Sequence, residues 1–274
     1  MVELDYGTLL APYPIKLSIG TLLKPKLSEI YDLSFDRFAM YESLTKMTPE
    51  VYYTEVLRTN GGEEKWNSFD ENTKSSIQLF DIIATDKALQ DTYCDVLNFF
   101  FDEHVVYLEG AFILFDSDYD INNKTENIKD HIVGVIHNSE LFQQVLDIIQ
   151  QTCCIYEKPE ESEDTEIKFK SNLARKIFEK MRNAKKEQRK QKAKQENKDY
   201  SLPNLISAVS NKHLCLSPIN VWDLTVYQLV DSFNRLRTNA IYDINSLRVS
   251  VWGDEKKQFD ETLWYKYKHD EKEN

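Results

Sequence analysis

Apolar residues recur at helical spacing through the first third of the chain. From Leu27 to Leu44 they predict a helix that is broken near Ser34. Thr48 followed by Pro49 is a stronger start signal, because threonine caps a helix and proline at the first helical position gives up an amide that would be unpaired anyway. The pattern therefore predicts a second helix running to about Arg58.

The next helical pattern extends from Ser68 to Phe101 and is interrupted near Thr85 and Asp86, where a new cap can form. Two helices fit this stretch. Apolar positions between Ser139 and Cys153 share one face of a further helix.

Four stretches have the character of strands. Residues 105–108 and 111–115 are rich in β-branched and aromatic side chains on either side of Glu109 and Gly110, which predicts a β-hairpin. Residues 13–25 alternate apolar with small or polar positions and predict a short hairpin or an extended arm. Residues 131–136 fit either a strand or the start of a helix.

A C-terminal region from Leu202 to about Tyr267 returns to helical patterning. Helix-start signals occur at Ser201–Pro203 and at Ser217–Pro218, and residues 222–236 form a well-patterned amphipathic stretch. We expect a compact helical module here.

The charge pattern separates this module from the N-terminal region. Residues 157–166 hold six acids and a proline, too little apolar surface to bury, and we interpret them as a linker. Residues 168–198 hold 13 Lys and Arg against three Glu and predict a basic helix. The sequence thus predicts an α+β protein, mainly helical with a small β-hairpin: an N-terminal domain over 1–156, a linker and basic helix over 157–198, and a helical module over 199–274.

Composition narrows the class of protein. Glycine and proline number only 7 each, too few for a many-turned β-sandwich or barrel. No apolar run reaches the ~18 to 20 residues that span a bilayer, so we expect neither an anchor nor a leader. The cysteines are scattered, without a Cys-x-x-Cys pair, and we expect reduced core thiols rather than disulfides or metal ligands: Cys94, Cys153, Cys154 and Cys215.

Candidate chemistry is sparse. Asp116, Asp118 and Asp120 match the first three ligand positions of a calcium-binding EF-hand loop, but Ile121 and Asn127 stand where that loop needs glycine and glutamate. We interpret the string as a solvated acidic turn. The histidines show no ligand or nucleophile pattern, and the short signatures of acyl transfer and nucleotide binding are missing. We therefore expect no enzyme, no metal and no cofactor.

The basic helix is the one surface suited to a polyanion. Its candidate contacts point in nearly all directions: Lys185, Lys186, Arg189, Lys190, Lys192 and Lys194. They could neutralise phosphates, but no aromatic residues are interleaved to stack bases, and the chain carries a net charge of −12. A solvated connector is favoured over protein binding, and nucleic acid is the least favoured alternative.

The C-terminal region resembles proteins of tailed bacteriophages. Residues 224–233, LTVYQLVDSF, are similar to a pattern in tail assembly chaperones and related tail or baseplate assembly proteins of phages that infect Gram-positive bacteria. The likeness covers residues 199–265 and, loosely, 13–57. On this pattern Tyr227 and Phe233 face a core or groove, while Gln228 and Asp231 fix the helix register by hydrogen bonds.

The resemblance implies a non-catalytic chaperone in the host cytoplasm that coats a tape-measure-like tail protein until the tail tube polymerises. This chain is longer than the small chaperones. A structural tail or baseplate subunit that is retained in the virion therefore stays open as an alternative function, and self-association also stays open. The expected partner-binding residues are Trp222, Tyr227, Gln228, Asp231, Phe233, Trp252 and Trp264.

Overall fold

The computed structural model describes residues 3–117, 128–155, 199–254 and 258–266. The chain forms two compact units. Among the described residues, the first unit contains those up to Ile155 together with Trp222–Gln228, and the second contains those from 199 to Val221 and from Leu229 to 266. A seven-residue piece of the C-terminal region is therefore part of the N-terminal unit.

The fold is mainly helical with two small antiparallel sheets, which confirms the predicted α+β class. The α-helices up to residue 155 are α1 (Tyr6–Leu10), α2 (Leu27–Leu33), α3 (Phe35–Thr45), α4 (Pro49–Val51), α5 (Gly62–Ser68), α6 (Glu71–Ser76), α7 (Leu79–Thr85), α8 (Lys87–Phe100) and α9 (Ser139–Thr152). The C-terminal region holds α10 (Leu202–Lys212) and α11 (Val226–Trp252). The strands are β1 (Ile15–Leu17), β2 (Gly20–Leu22), β3 (His104–Leu108), β4 (Ala111–Phe115) and β5 (Ile132–Ile136).

The predicted hairpin is confirmed as β3 and β4, with Tyr107 opposite Phe112. Glu109 and Gly110 form its two-residue turn with φ of 51° and 85°, the positive values that match the twist of the flanking strands. The segment left open between strand and helix is β5, which pairs antiparallel with β4. The result is a three-stranded sheet in the order β3-β4-β5.

Aromatic packing joins the inner face of this sheet to the helices. Phe142 of α9 stacks on Phe112 of β4 at 5.6 Å between ring centroids and meets Phe80 and Tyr93 at 5.5 and 5.4 Å. The buried Tyr93 hydroxyl donates to the carbonyl of Leu44 at 2.9 Å, so the polar end of the ring is satisfied within the core.

Two other predicted features are confirmed by the side chains that begin helices. Ser34 separates α2 from α3 with φ of 84°, and its hydroxyl accepts from the Arg37 amide. Thr48 caps α4 with its hydroxyl 3.2 Å from the Val51 amide, and Pro49 occupies the first helical position. Beyond α4 the predicted helix changes to a π-helical turn over Tyr52–Val56.

The pattern was wrong in two places. Residues 68–101 contain three helices rather than two, because Asp70 supplies an extra cap by accepting from the Thr73 amide at 2.8 Å. No α-helix begins at Ser217, since its amide and hydroxyl both donate to the side-chain oxygen of Asn220 and hold a turn, after which a short 3-10 helix spans Val221–Asp223.

Several sequence-based interpretations lie outside the described residues. These are the acidic linker and the basic helix, with all six of its candidate polyanion contacts, and Asp118 and Asp120 of the EF-hand-like string. Within the described ranges, no helix is both long enough and apolar enough to cross a membrane.

Candidate protein-binding surface

The segment Trp222–Gln228 is built into the first unit by backbone pairing. Thr225 forms an isolated antiparallel bridge with Lys26, and the Leu27 amide donates to the carbonyl of Leu224 at 2.9 Å. The segment thereby pairs with the chain just before α2.

A capping box then starts α11 from this docked position. The Gln228 amide donates to the Thr225 hydroxyl at 3.3 Å, and the Thr225 amide donates back to the Gln228 side-chain oxygen at 3.1 Å. The Gln228 side-chain nitrogen also donates to the carbonyl of Leu10 at 2.9 Å. The sequence had indicated Gln228 as a register-fixing residue, and the structure shows the hydrogen bonds through which it can act.

Aromatic contacts complete the docking. Tyr227 is buried, with 7% of its surface exposed, and its ring meets Tyr6 edge to face at 6.3 Å. Trp222 is half-buried and packs edge to face on Tyr31 at 5.6 Å. Both side chains make intramolecular contacts within the first unit.

In the second unit the chain turns back along α11. Gly253 has φ of 77°, and the Asp254 carboxylate accepts from the amides of Gln258 and Phe259 at 3.0 and 2.8 Å. These hydrogen bonds lower the pKa of Asp254. Residues 258–266 are called the returning segment. Within it, the Phe259 ring lies against the Tyr242 ring at 5.5 Å between ring centroids.

The returning segment is also tied further back along the helix, where Arg235 donates to the carbonyl of Lys266 at 3.0 Å. Arg235 in addition forms an ion pair with Asp231 at 3.8 Å. Phe233 is half-buried and meets Tyr200 edge to face at 6.1 Å. Asp231 and Phe233, like Tyr227, therefore have partners within the chain.

Another part of α11 carries apolar side chains that are exposed to solvent. Ile244, Leu247 and Val251 are 68%, 68% and 62% exposed, and their spacing of three and four residues puts them on one face. Trp252 is 77% exposed and Trp264 is 51% exposed, the latter in edge-to-face contact with the exposed Tyr265. Of the seven expected partner-binding residues, Trp252 and Trp264 are the two that stand open to solvent.

The loop after α10 presents two more apolar side chains that the sequence reading missed. Leu214 and Ile219 are fully and 88% exposed, respectively. The loop between them is held by its own polar groups: Asn220 donates to the Cys215 carbonyl at 3.0 Å, and the Cys215 amide donates to the ring of His213 at 3.1 Å. Exposure of these side chains depends on the turn around Asn220, which a helical pattern search does not detect.

Exposed apolar side chains are thus concentrated in the second unit. Among the described residues, eighteen large hydrophobic side chains are exposed and ten of them lie in the second unit, although this unit supplies fewer than a third of those residues. Only five of its described hydrophobic residues are buried: Leu205, Ile206, Val209, Val221 and Leu229. Among its described residues, the second unit therefore exposes more large apolar side chains than it buries.

The first unit has a surface depression of about 390 Å³ between α8 and β3. Cys94, Asp91 and His104 are among the residues that line it. Burial raises the pKa of the Cys94 thiol to about 11, so at neutral pH the thiol is protonated and is a poor nucleophile. In the described part of the chain, no three histidine, cysteine or acidic side chains are grouped as metal ligands.

The raised pKa values of Tyr52 and Cys94 predict a loss of stability in alkali. Burial, reinforced by a hydrogen bond to Asp86, raises the pKa of Tyr52 to about 12 from 10.0, and that of Cys94 to about 11 from 9.0. Both groups hold their protons longer in the folded protein, so the stability they contribute is complete below pH 9 and is lost as pH rises from 9 to 12. Lys24 has the opposite effect on stability up to pH 10.5. Burial lowers the pKa of its amine, so the folded protein gains stability as the amine loses its proton.

The measurement is the urea midpoint of unfolding at pH values from 8 to 12. We expect it to fall, and to fall less steeply above pH 10 in Tyr52→Phe and between pH 9 and 11 in Cys94→Ala. Parallel curves for the three proteins would contradict the assignment to these groups.

A family model described as the second domain of YomV matches residues 190–268. This is a phage-type protein family of Bacillus. The C-terminal part of the chain, including the docked segment and the exposed surface of α11, is therefore similar to a domain of phage-type proteins. The matched region is under a third of the chain. No curated protein and no solved structure matches the chain.

Proposed function

We propose that this protein is a non-catalytic assembly chaperone of a phage, which binds a helical tail component of the tape-measure type before the tail tube polymerises. The observation that supports the proposal is the excess of exposed apolar side chains in the unit that is similar to a phage-type domain. Such a surface costs solubility unless a partner covers it. The net charge of −12 offsets that cost by keeping the free protein in solution.

The proposed client contacts are the apolar side chains that the fold holds outward without using them in its own core. Leu214 and Ile219 project from a loop whose polar groups already bond to one another, so little conformational entropy is lost when a client docks. Trp264 adds an exposed ring, and Trp and Tyr are the side chains most often found at the energetic centre of interfaces. A helical client would offer apolar faces of matching size.

The test is co-expression with the helical tail proteins of the same phage, followed by co-purification. Leu214→Ser combined with Ile219→Ser, or Trp264→Ala alone, should reduce the recovered client by about tenfold or more, as for residues at the centre of an interface. The matched control is Tyr13→Ala, which removes a side chain that is 72% exposed in the first unit and should leave recovery unchanged.

Circular dichroism must show all variants folded, as expected for exposed positions. Equal recovery of the client with every variant would refute the surface. Mass spectrometry of purified phage particles then tests the chaperone role, because a chaperone is missing from the finished particle. Stoichiometric copies there would instead indicate a structural subunit.

A further inference from the structure

The exposed face of α11 follows a seven-residue pattern. Taking Ile244 as position a places Leu247 at d and Val251 at the next a, with Arg237 and Ala240 at the preceding a and d. We call these five residues the α11 seam. Three of them are more than 60% exposed.

The seam lies on the side of α11 away from the returning segment. Tyr242 and Arg235, which contact that segment, each stand two residues before a seam residue at position a. Two residues along an α-helix correspond to a rotation of about 200°. The returning segment therefore leaves the seam uncovered.

The charges beside the seam complement one another across a parallel pair of helices. Asp243 at position g and Arg248 at position e are both exposed. In the described part of the chain neither forms an ion pair with another residue, and the charge of Arg248 helps to lower the pKa of Asp254. In a parallel coiled coil, g of one helix meets the e position five residues later on its partner. Asp243 of each copy would thus meet Arg248 of the other, whereas an antiparallel pair would bring like charges together.

We propose that a second copy of this chain occupies the seam, and that two α11 helices form a short, parallel, two-stranded coiled coil. Isoleucine and valine at a with leucine at d favour two parallel strands. A single polar residue at an a position specifies the register in which two helices pair, and Arg237 is that residue in the seam. Because α11 is already folded in each copy, pairing carries no helix nucleation cost. This inference goes beyond the proposed function, and its test changes residues other than those changed in the client test.

The test is sedimentation equilibrium of the full chain, loaded at about 1 to 100 µM, a range that covers micromolar association. We expect a monomer–dimer equilibrium in the unchanged protein and a monomer in Leu247→Asp. Asp243→Arg and Arg248→Asp should each raise the dissociation constant about tenfold, since each turns two attractive pairs into repulsive ones. The protein with both substitutions should regain the original constant, because the pairs are restored with their signs exchanged.

Control variants and a cross-link complete the design. Trp252→Ala changes an exposed residue outside the seam and should leave dimerisation unchanged. In a Cys215→Ser background, Leu247→Cys should form a disulfide between copies on mild oxidation, because a parallel pair places identical residues side by side. The proposal is overturned by a monomer at every concentration, by a dimer that survives Leu247→Asp, or by failure of the double exchange to restore pairing. The client test above does not depend on any of these results.

Discussion

Gly134→Ala is expected to destabilise the first unit by about 3 kcal/mol, the upper end of the usual cost of overpacking a core. A β-carbon at Gly134 would lie 2.1 Å from the carbonyl oxygen of Ile19 and 2.6 Å from two further backbone atoms of that residue. Ile19 is part of the turn between β1 and β2, and Gly134 belongs to β5, so the contact joins the small hairpin to the three-stranded sheet. Backbone on both sides cannot move away as a flexible side chain would.

Gly110→Ala is the matched control. Gly110 has φ of 85° and nothing within 4 Å of its would-be β-carbon, so its substitution carries only the conformational penalty of about 1–2 kcal/mol. Urea unfolding of the three proteins separates the two causes. A cost at Gly134 no larger than that at Gly110 would show that β1 and β2 do not pack on β5 as described.

The parts of the fold that the sequence predicted correctly are those determined locally. The β3–β4 hairpin depends on the conformations open to Glu109 and Gly110, and the α2–α3 break and the start of α4 depend on Ser34 and Thr48. Each acts within a few residues. The same locality explains the error at Ser217, where a serine followed by proline resembles a helix start but its hydroxyl binds Asn220.

Contacts between distant segments could not be predicted in this way. Nothing near Gly134 in the sequence indicates that Ile19 will lie against it. Likewise, the sequence indicates that residues 222–236 belong to an amphipathic helix. In the structure the Tyr227 ring, within that stretch, docks on Tyr6, whereas Ile244 and Leu247, which come later on the same helix, remain exposed. Apolar spacing predicts a helix but does not say which of its apolar residues the chain itself will cover. Which of the seven expected residues contact a partner stays a prediction.

Tyr227→Ala is expected to cost about 3–5 kcal/mol, as for other large buried aromatic residues. The ring is 7% exposed and meets Tyr6 in a part of the chain more than 200 residues away in sequence. Its removal leaves a cavity where the segment Trp222–Gln228 docks. The remaining ties, including the Gln228 side chain on the Leu10 carbonyl and the Leu27 amide on the Leu224 carbonyl, are hydrogen bonds worth about 1 kcal/mol each.

Hydrogen exchange shows where the loss falls. If the ring holds the segment in place, the Leu27 amide should exchange faster in Tyr227→Ala by more than the change in overall stability accounts for, because its acceptor Leu224 belongs to the released segment. Trp252→Ala is the comparison, since its ring is 77% exposed on the same helix and its loss should change stability by no more than about 0.5 kcal/mol. Equal stability of the two variants would mean that Tyr227 is not a core residue, and its ring would again be a candidate for contact with a client.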